Sequence, residues 1–126
     1  MRVTASAVSL NVDDVEASSR FLADHFGFRE EMAADGFAAL VRDDALKVIF
    51  LRRGLEALPA GFRDQGAAGV IVALTVDDLA AEETRLRGAG VPITLPLREE
   101  PWGERLLQVT DPNGVVVQLV EWVASA

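Results

Sequence analysis

Residues 110–122 read TDPNGVVVQLVEW, and this stretch decides the fold. Pro112 pre-sets φ at the first corner of a turn, and Asn113-Gly114 tolerate the positive φ that the next corners can demand. The run that follows, VVVQLVEWV, is rich in β-branched residues and reads as a strand. Gln118 interrupts it, a neutral polar residue among valines and a leucine. A buried amide without partners costs about 1–3 kcal/mol. Gln118 therefore lies on a wet face, or it lines a cavity that holds something.

Working outward, the chain contains itself twice. SLNVDDVEASSRFL at 9–22 lies over ALTVDDLAAEETRL at 73–86, and Leu10, Val12, Asp13, Asp14, Ala17 and Leu22 match Leu74, Val76, Asp77, Asp78, Ala81 and Leu86. A glycine follows each copy, Gly27 and Gly90. Each copy reads as strand, cap, helix. Ala5–Val12 alternates, with Ala5, Ala7, Ser9 and Asn11 on one face and Ser6, Val8, Leu10 and Val12 on the other. Asp13 or Asp14 can accept the free N–H groups of the helix start, and Asp13 with Glu16 has capping-box spacing. Val15, Phe21, Leu22 and Phe26 form the inward stripe, and Gly27 ends the helix. The paired aspartates superficially suggest a metal motif, but a strand–helix junction makes them caps.

The remaining elements complete the pattern. Phe37–Arg42 and Leu46–Arg52 flank Asp43-Asp44 as a hairpin. Residues 53–68 have Gly, Pro and no sustained period. Strand Val70–Val76, helix Leu79–Arg87, a short strand near Pro92–Thr94, a loop over 96–103, and strands Arg105–Thr110 and Val115–Val123 follow. Each half is β-α-β-β-β. The chain is one α+β domain over 1–126, with repeats 1–54 and 68–126 joined by linker 55–67.

Composition narrows the function. The 126 residues carry 20 acidic against 12 basic side chains, a net charge of −8. Backbone binding to nucleic acid needs basic surface, so nucleic acid is excluded as a partner. The acidic charge keeps the protein soluble, and its field favours a cationic small ligand. No run of 18 apolar residues predicts a membrane span, and the N-terminus lacks a signal-peptide core. With no cysteine, disulfides and thiolate metal sites are excluded. These features are read as a cytoplasmic protein.

VSLNVDDVEASSRFL, HFGF at 25–28, LTVDDLAAEETRLRGAGV and PWGERLLQVTDPNGVVVQL together resemble the vicinal oxygen chelate superfamily. That group includes glyoxalase I, extradiol dioxygenases, and fosfomycin- and bleomycin-resistance proteins. The resemblance covers nearly the whole chain, and the DPNG turn after PWG is its most specific part. It implies two βαβββ modules whose sheets curl around a cleft, and often a homodimer. It also implies four cleft-facing metal-ligand positions. Carried over by motif, these are Ala7, Phe50 (within about one residue), Ile71 and Gln118. Three are hydrocarbon and the fourth is a weak neutral donor, whereas such ions want three or four His or carboxylate ligands. His25, the only histidine, sits at the end of the first helix, where it complements the dipole. The expectation is no metal and no cofactor.

What remains is a mostly apolar lining with a few polar groups, as in small-molecule sites. The candidate ligand-binding residues are Ala7, Ser9, Asn11, Phe50, Ile71, Ala73, Thr75, Trp102, Gln118 and Trp122, with Val48, Val116 and Val120 beside them. Ser9, Asn11, Thr75 and Gln118 would orient the ligand. Trp102, in a loop beside Glu99, Glu100 and Glu104, and Trp122 could stack on a flat ligand and attract a cation. Trp122 serves equally as core or subunit interface. Three functions are open. One is a metal-independent binding protein of the bleomycin-resistance type, which sequesters an antibiotic-like compound. A second is a lyase, isomerase or dioxygenase-like enzyme, against which stands the lack of a His, Cys or Tyr in the lining. The third is a non-catalytic dimer with a vestigial cleft.

Overall fold

Two aspartates start the two helices. In the computed structural model, which describes residues 1–123, Asp14 precedes α1 (Val15–Phe26) and its Oδ1 accepts from Ala17 N at 3.1 Å. Asp78 serves α2 (Leu79–Gly88) in the same way, accepting from Ala81 N at 3.1 Å. The second aspartate of each VDD is thus the cap, and each bond satisfies an N–H that the helix itself cannot. Asp13 instead lies 3.5 Å from the Arg53 guanidinium. Helix α1 ends at Gly27, whose φ of 68° is left-handed. Arg42 Nη1 donates to the carbonyl of Phe26 there at 2.6 Å.

The first module adds β1 (Ala7–Val12), β2 (Arg29–Ala34), β3 (Phe37–Val41) and β4 (Lys47–Arg52), in the order β1-β4-β3-β2. β1 and β4 are parallel and the other pairs antiparallel. Register assigns the faces. Leu10 lies opposite Phe50, Phe50 opposite Ala38, and Val48 opposite Leu40. All are buried, as are Leu22 and Phe26 of α1, which packs on β3 and β4, so this is the face the helix covers. Side chains of this size stabilise by about 1.5–3 kcal/mol each on full burial. Ala7, Ser9, Asn11, Ile49 and Leu51 point the other way.

The second module repeats the plan with β5 (Ile71–Thr75), β6 (Ile93–Glu99), β7 (Glu104–Thr110) and β8 (Val116–Trp122), ordered β5-β8-β7-β6. Again the first and last strands are parallel. Val72, Leu107, Val109, Val117 and Leu119 are buried with Leu79 and Leu86 of α2. Glu121 holds the helix start from the sheet. Its carboxylate accepts from Leu79 N at 3.3 Å and from Arg105 at 2.9 Å.

The DPNG turn is closed by its aspartate. Asp111 Oδ1 accepts from Asn113 N and Val115 N, each at 2.8 Å, while Asp111 N donates to Val115 O at 2.9 Å. Only Gly114, with a φ of 86°, needs the left-handed region; Asn113 does not use it.

Two elements differ from the expectation. β6 runs to Glu99 through residues expected to be loop, with register shifts at Ile93/Leu95 and Leu95/Arg98. Pro96 fits because an edge strand leaves an N–H unneeded. β2 has all six residues exposed and so carries no burial period. The segment after β4 is folded, with Leu58 buried and Arg63 donating to the carbonyls of Glu56 and Leu58 at 3.0–3.2 Å. The chain divides into two compact units, Met1–Ala68 and Gly69–Ala126. Among the described residues no helix is long and apolar enough to cross a membrane.

Candidate functional site

The face of the second sheet turned away from α2 is a grid, because paired residues point the same way, and within it Leu106 and Val120 are buried. One row across β5, β8 and β7 is Ile71, Val116 and Thr110; the next is Ala73, Gln118 and Gln108; the next is Thr75, Val120 and Leu106; and Glu104 beside Trp122 ends the face. Successive rows are about 6.6–6.8 Å apart along the strands. Ile71, Ala73, Thr75, Gln118 and Trp122, expected to share a face, do share it.

Two features stand out on this grid. Gln108 Nε2 donates to Gln118 Oε1 at 2.8 Å, so the odd polar residue of β8 is answered by one on β7. Both are half-buried. At the far end, Trp102 on the β6–β7 turn donates from Nε1 to Glu104 Oε1 at 3.1 Å. Trp102 is 66% exposed and Trp122 56% exposed, so neither indole is core within this chain. An exposed indole pair beside a carboxylate suits a flat ring or an organic cation, since the ring face and the carboxylate both attract positive charge. Thr94 Oγ1 extends the polar edge, 2.9 Å from Thr110 Oγ1.

The first sheet offers less. Ala7 and Ser9 are exposed on its uncovered face. Asn11 is buried, and its Nδ2 donates to the carbonyls of Phe62 and Gln65, each at 3.3 Å. That amide ties the segment after β4 to the end of β1. Phe50 and Val48 require a correction. Counting from motifs put them beside Ala7, but register pairs Phe50 with Leu10 and Val48 with Val8, on the helix-covered side. The uncovered neighbours are Ile49 and Leu51.

These residues do not fit a divalent ion. Ala7, Ile71, Ile49 and Leu51 have no donor atom, and the carbonyl of Gln118 accepts from Gln108. Hard divalent ions need several oxygen or imidazole ligands in a fixed geometry. His25 lies in the last turn of α1, its ring 5.2 Å from that of Phe21 in an edge-on contact.

A cavity of about 720 Å³ opens elsewhere, near the start of α1, rimmed by Asp13, Asp14, Glu16, Glu30, Asp35 and Arg52. Its carboxylates are occupied. Asp35 pairs with Arg52 at 2.8 Å, Glu30 accepts from Ser19 at 2.7 Å, Glu16 pairs with Arg20, and Asp14 caps the helix. The Arg52 guanidinium, by hydrogen bond and charge, holds the Asp35 carboxyl below its usual value, and Asp35 raises Arg52 in return. This cavity is lined by charged groups that already have partners.

Gln108 was not among the residues expected from sequence. It reads as ordinary alternation in ERLLQVT. The signal was present, because a hairpin closed by DPNG pairs positions equidistant from the turn, and Gln108 and Gln118 are such a pair.

Comparisons agree with the fold. The most informative structural neighbours include a glyoxalase/bleomycin resistance protein/dioxygenase from Nocardioides, 20% identical, with TM-score 0.77, covering 100% of this chain and 87% of its own. TioX from Micromonospora sp. ML1 is 25% identical, with TM-score 0.74, covering 96% of this chain and 100% of its own. Lactoylglutathione lyase from Agrobacterium tumefaciens is 20% identical, with TM-score 0.74, covering 95% and 94%. No curated protein matches the sequence. A family model spans residues 4–119, and the chain therefore belongs to the glyoxalase/bleomycin resistance protein/dioxygenase superfamily.

Proposed function

We propose that this protein is a metal-independent small-molecule binder of the bleomycin-resistance type, sequestering an aromatic or cationic antibiotic-like compound without altering it. The observation that carries the reading is the Trp102–Glu104–Trp122 end of the second sheet, with two exposed indoles and a carboxylate held by one of them. The lack of a donor set for a divalent ion at the expected ligand positions supports it. So does the absence of His, Cys or Tyr among the residues of that face, where the one carboxylate paired across the strands, Glu104, accepts from Trp102.

Quenching of tryptophan fluorescence by a panel of flat organic cations and neutral aromatics tests the reading. Trp102→Ala should weaken binding by about 2 kcal/mol or more if the indole anchors the ligand. An unchanged dissociation constant would remove Trp102 from the site. No response across the panel, with the fold intact, would favour a non-catalytic protein with a vestigial site. Turnover of a bound compound, followed by mass spectrometry, would instead favour an enzyme of the superfamily.

A further inference from the structure

We infer that the Gln108–Gln118 pair reads a neutral amide edge, that is, a lactam, imide or carboxamide whose N–H and C=O lie side by side. The inference rests on the small-molecule reading above and names the chemical group that the site selects.

The pair spends one N–H and one carbonyl lone pair on its own bond, with 2.8 Å between Gln108 Nε2 and Gln118 Oε1. An amide has two N–H donors and a carbonyl with two lone pairs. Gln118 therefore keeps a free NH₂, and Gln108 keeps its carbonyl and a second N–H. Among the described residues no fully buried side-chain nitrogen or oxygen lacks a partner, so these spare groups reach the surface, where a ligand can replace water. Exchanging oxygen and nitrogen in both side chains leaves the result unchanged, since one amide must donate and the other accept. The pair offers a donor next to an acceptor in either orientation.

The surroundings choose neutral over charged ligands. Val116 and Val120 flank Gln118 along its strand on this face, and Ala73 beside it leaves room above the sheet. Among the residues paired with β5, β8 and β7 on this face, the charged ones stand outside the glutamine row: Arg98 of β6, beside Leu106 and bound to Glu100 at 2.6 Å, and Glu104 at the far end. A carboxylate or ammonium at the glutamine row meets no charge within the row itself, and the neighbouring Arg98 is already neutralised by Glu100, so its desolvation is costly. A lactam satisfies both free groups and loses little. A ligand of the same shape lacking the N–H leaves the glutamine carbonyl covered and unpaired, and sites of this kind reject such analogues strongly. Trp122 is four residues from Gln118, roughly 13 Å along the strand. A compound touching both ends carries its amide and its ring or cation that far apart.

Three matched probes test this by fluorescence titration and by the side-chain amide signals of the glutamines in nitrogen-15 NMR spectra. They are 2-quinolone, its N-methyl derivative and naphthalene. 2-Quinolone should bind about tenfold or more tightly than N-methyl-2-quinolone and should shift the Gln108 and Gln118 NH₂ signals. The preference should vanish in Gln118→Met and in Gln108→Met, both near in shape to the original, with circular dichroism unchanged. Equal affinity for all three probes in the native protein overturns the amide reading and leaves the small-molecule reading standing. A lactam preference that survives both substitutions also overturns it. Failure of every probe to bind overturns it together with the reading on which it rests.

Discussion

Gln118 faces away from α2 and Phe50 is buried beneath α1, and strand alternation decides both. Gln118 stood out because an amide among valines needs an explanation, and it has one in Gln108. The partner was hidden because polar residues on a half-buried strand are common. Phe50 was placed by counting from a motif, and strand faces alternate, so an error of one residue inverts the face. Only the pairing with Leu10 reveals it. Trp122 could be core, interface or site from sequence alone; its exposure removes core from that choice within the chain. A titration argument also belongs at this scale. Asp35 is held below its usual 3.8 by Arg52. A carboxyl depressed in the folded state adds stability above its unfolded value and loses it as pH falls through the folded value. Asp35→Asn should therefore lower the melting temperature slightly at pH 6, and the two proteins should converge in acid as pH falls through the folded-state value. A gap that persists unchanged in acid would mean the pair's charge is not its contribution.

The elements that sequence revealed are those with local causes. Both helices were legible because an aspartate cap and a terminal glycine bracket each, and the first also has an apolar stripe. The β3–β4 and β7–β8 hairpins were legible because strong turns separate apolar-rich runs. β2 and β6 were not, since both lie at sheet edges. β2 has no buried face to impose a period, and β6 contains a proline and two register shifts. The caps make a paired prediction. Asp14→Ala and Asp78→Ala should each cost about 1 kcal/mol in urea unfolding. Asp78→Ala should cost the less, because Glu121 already accepts from Leu79 N. The reverse order would show that Glu121 does not brace that helix.

At the scale of the whole molecule, the repeat duplicates architecture and not chemistry. Both modules share cap, helix and strand order, yet the first spends its central amide, Asn11, on its own chain, and the second displays paired amides and indoles. We expect the protein to be a homodimer, as the resemblance implies. Each copy carries a charge of −8, so self-repulsion opposes association and salt relieves it. Sedimentation should show tighter dimers at about 0.3 M than at about 0.02 M salt; a monomer at micromolar concentration under both conditions would contradict this. Finally, Asp111 clasps its turn with one carboxylate oxygen and so sets which way every side chain of β8 points. Adding a single residue between that clasp and Val116 would turn the strand inside out, swinging the indole and the amide under α2 while Glu121 and Val117 took their places. Selectivity could thus be erased by an insertion that alters none of the groups a ligand touches.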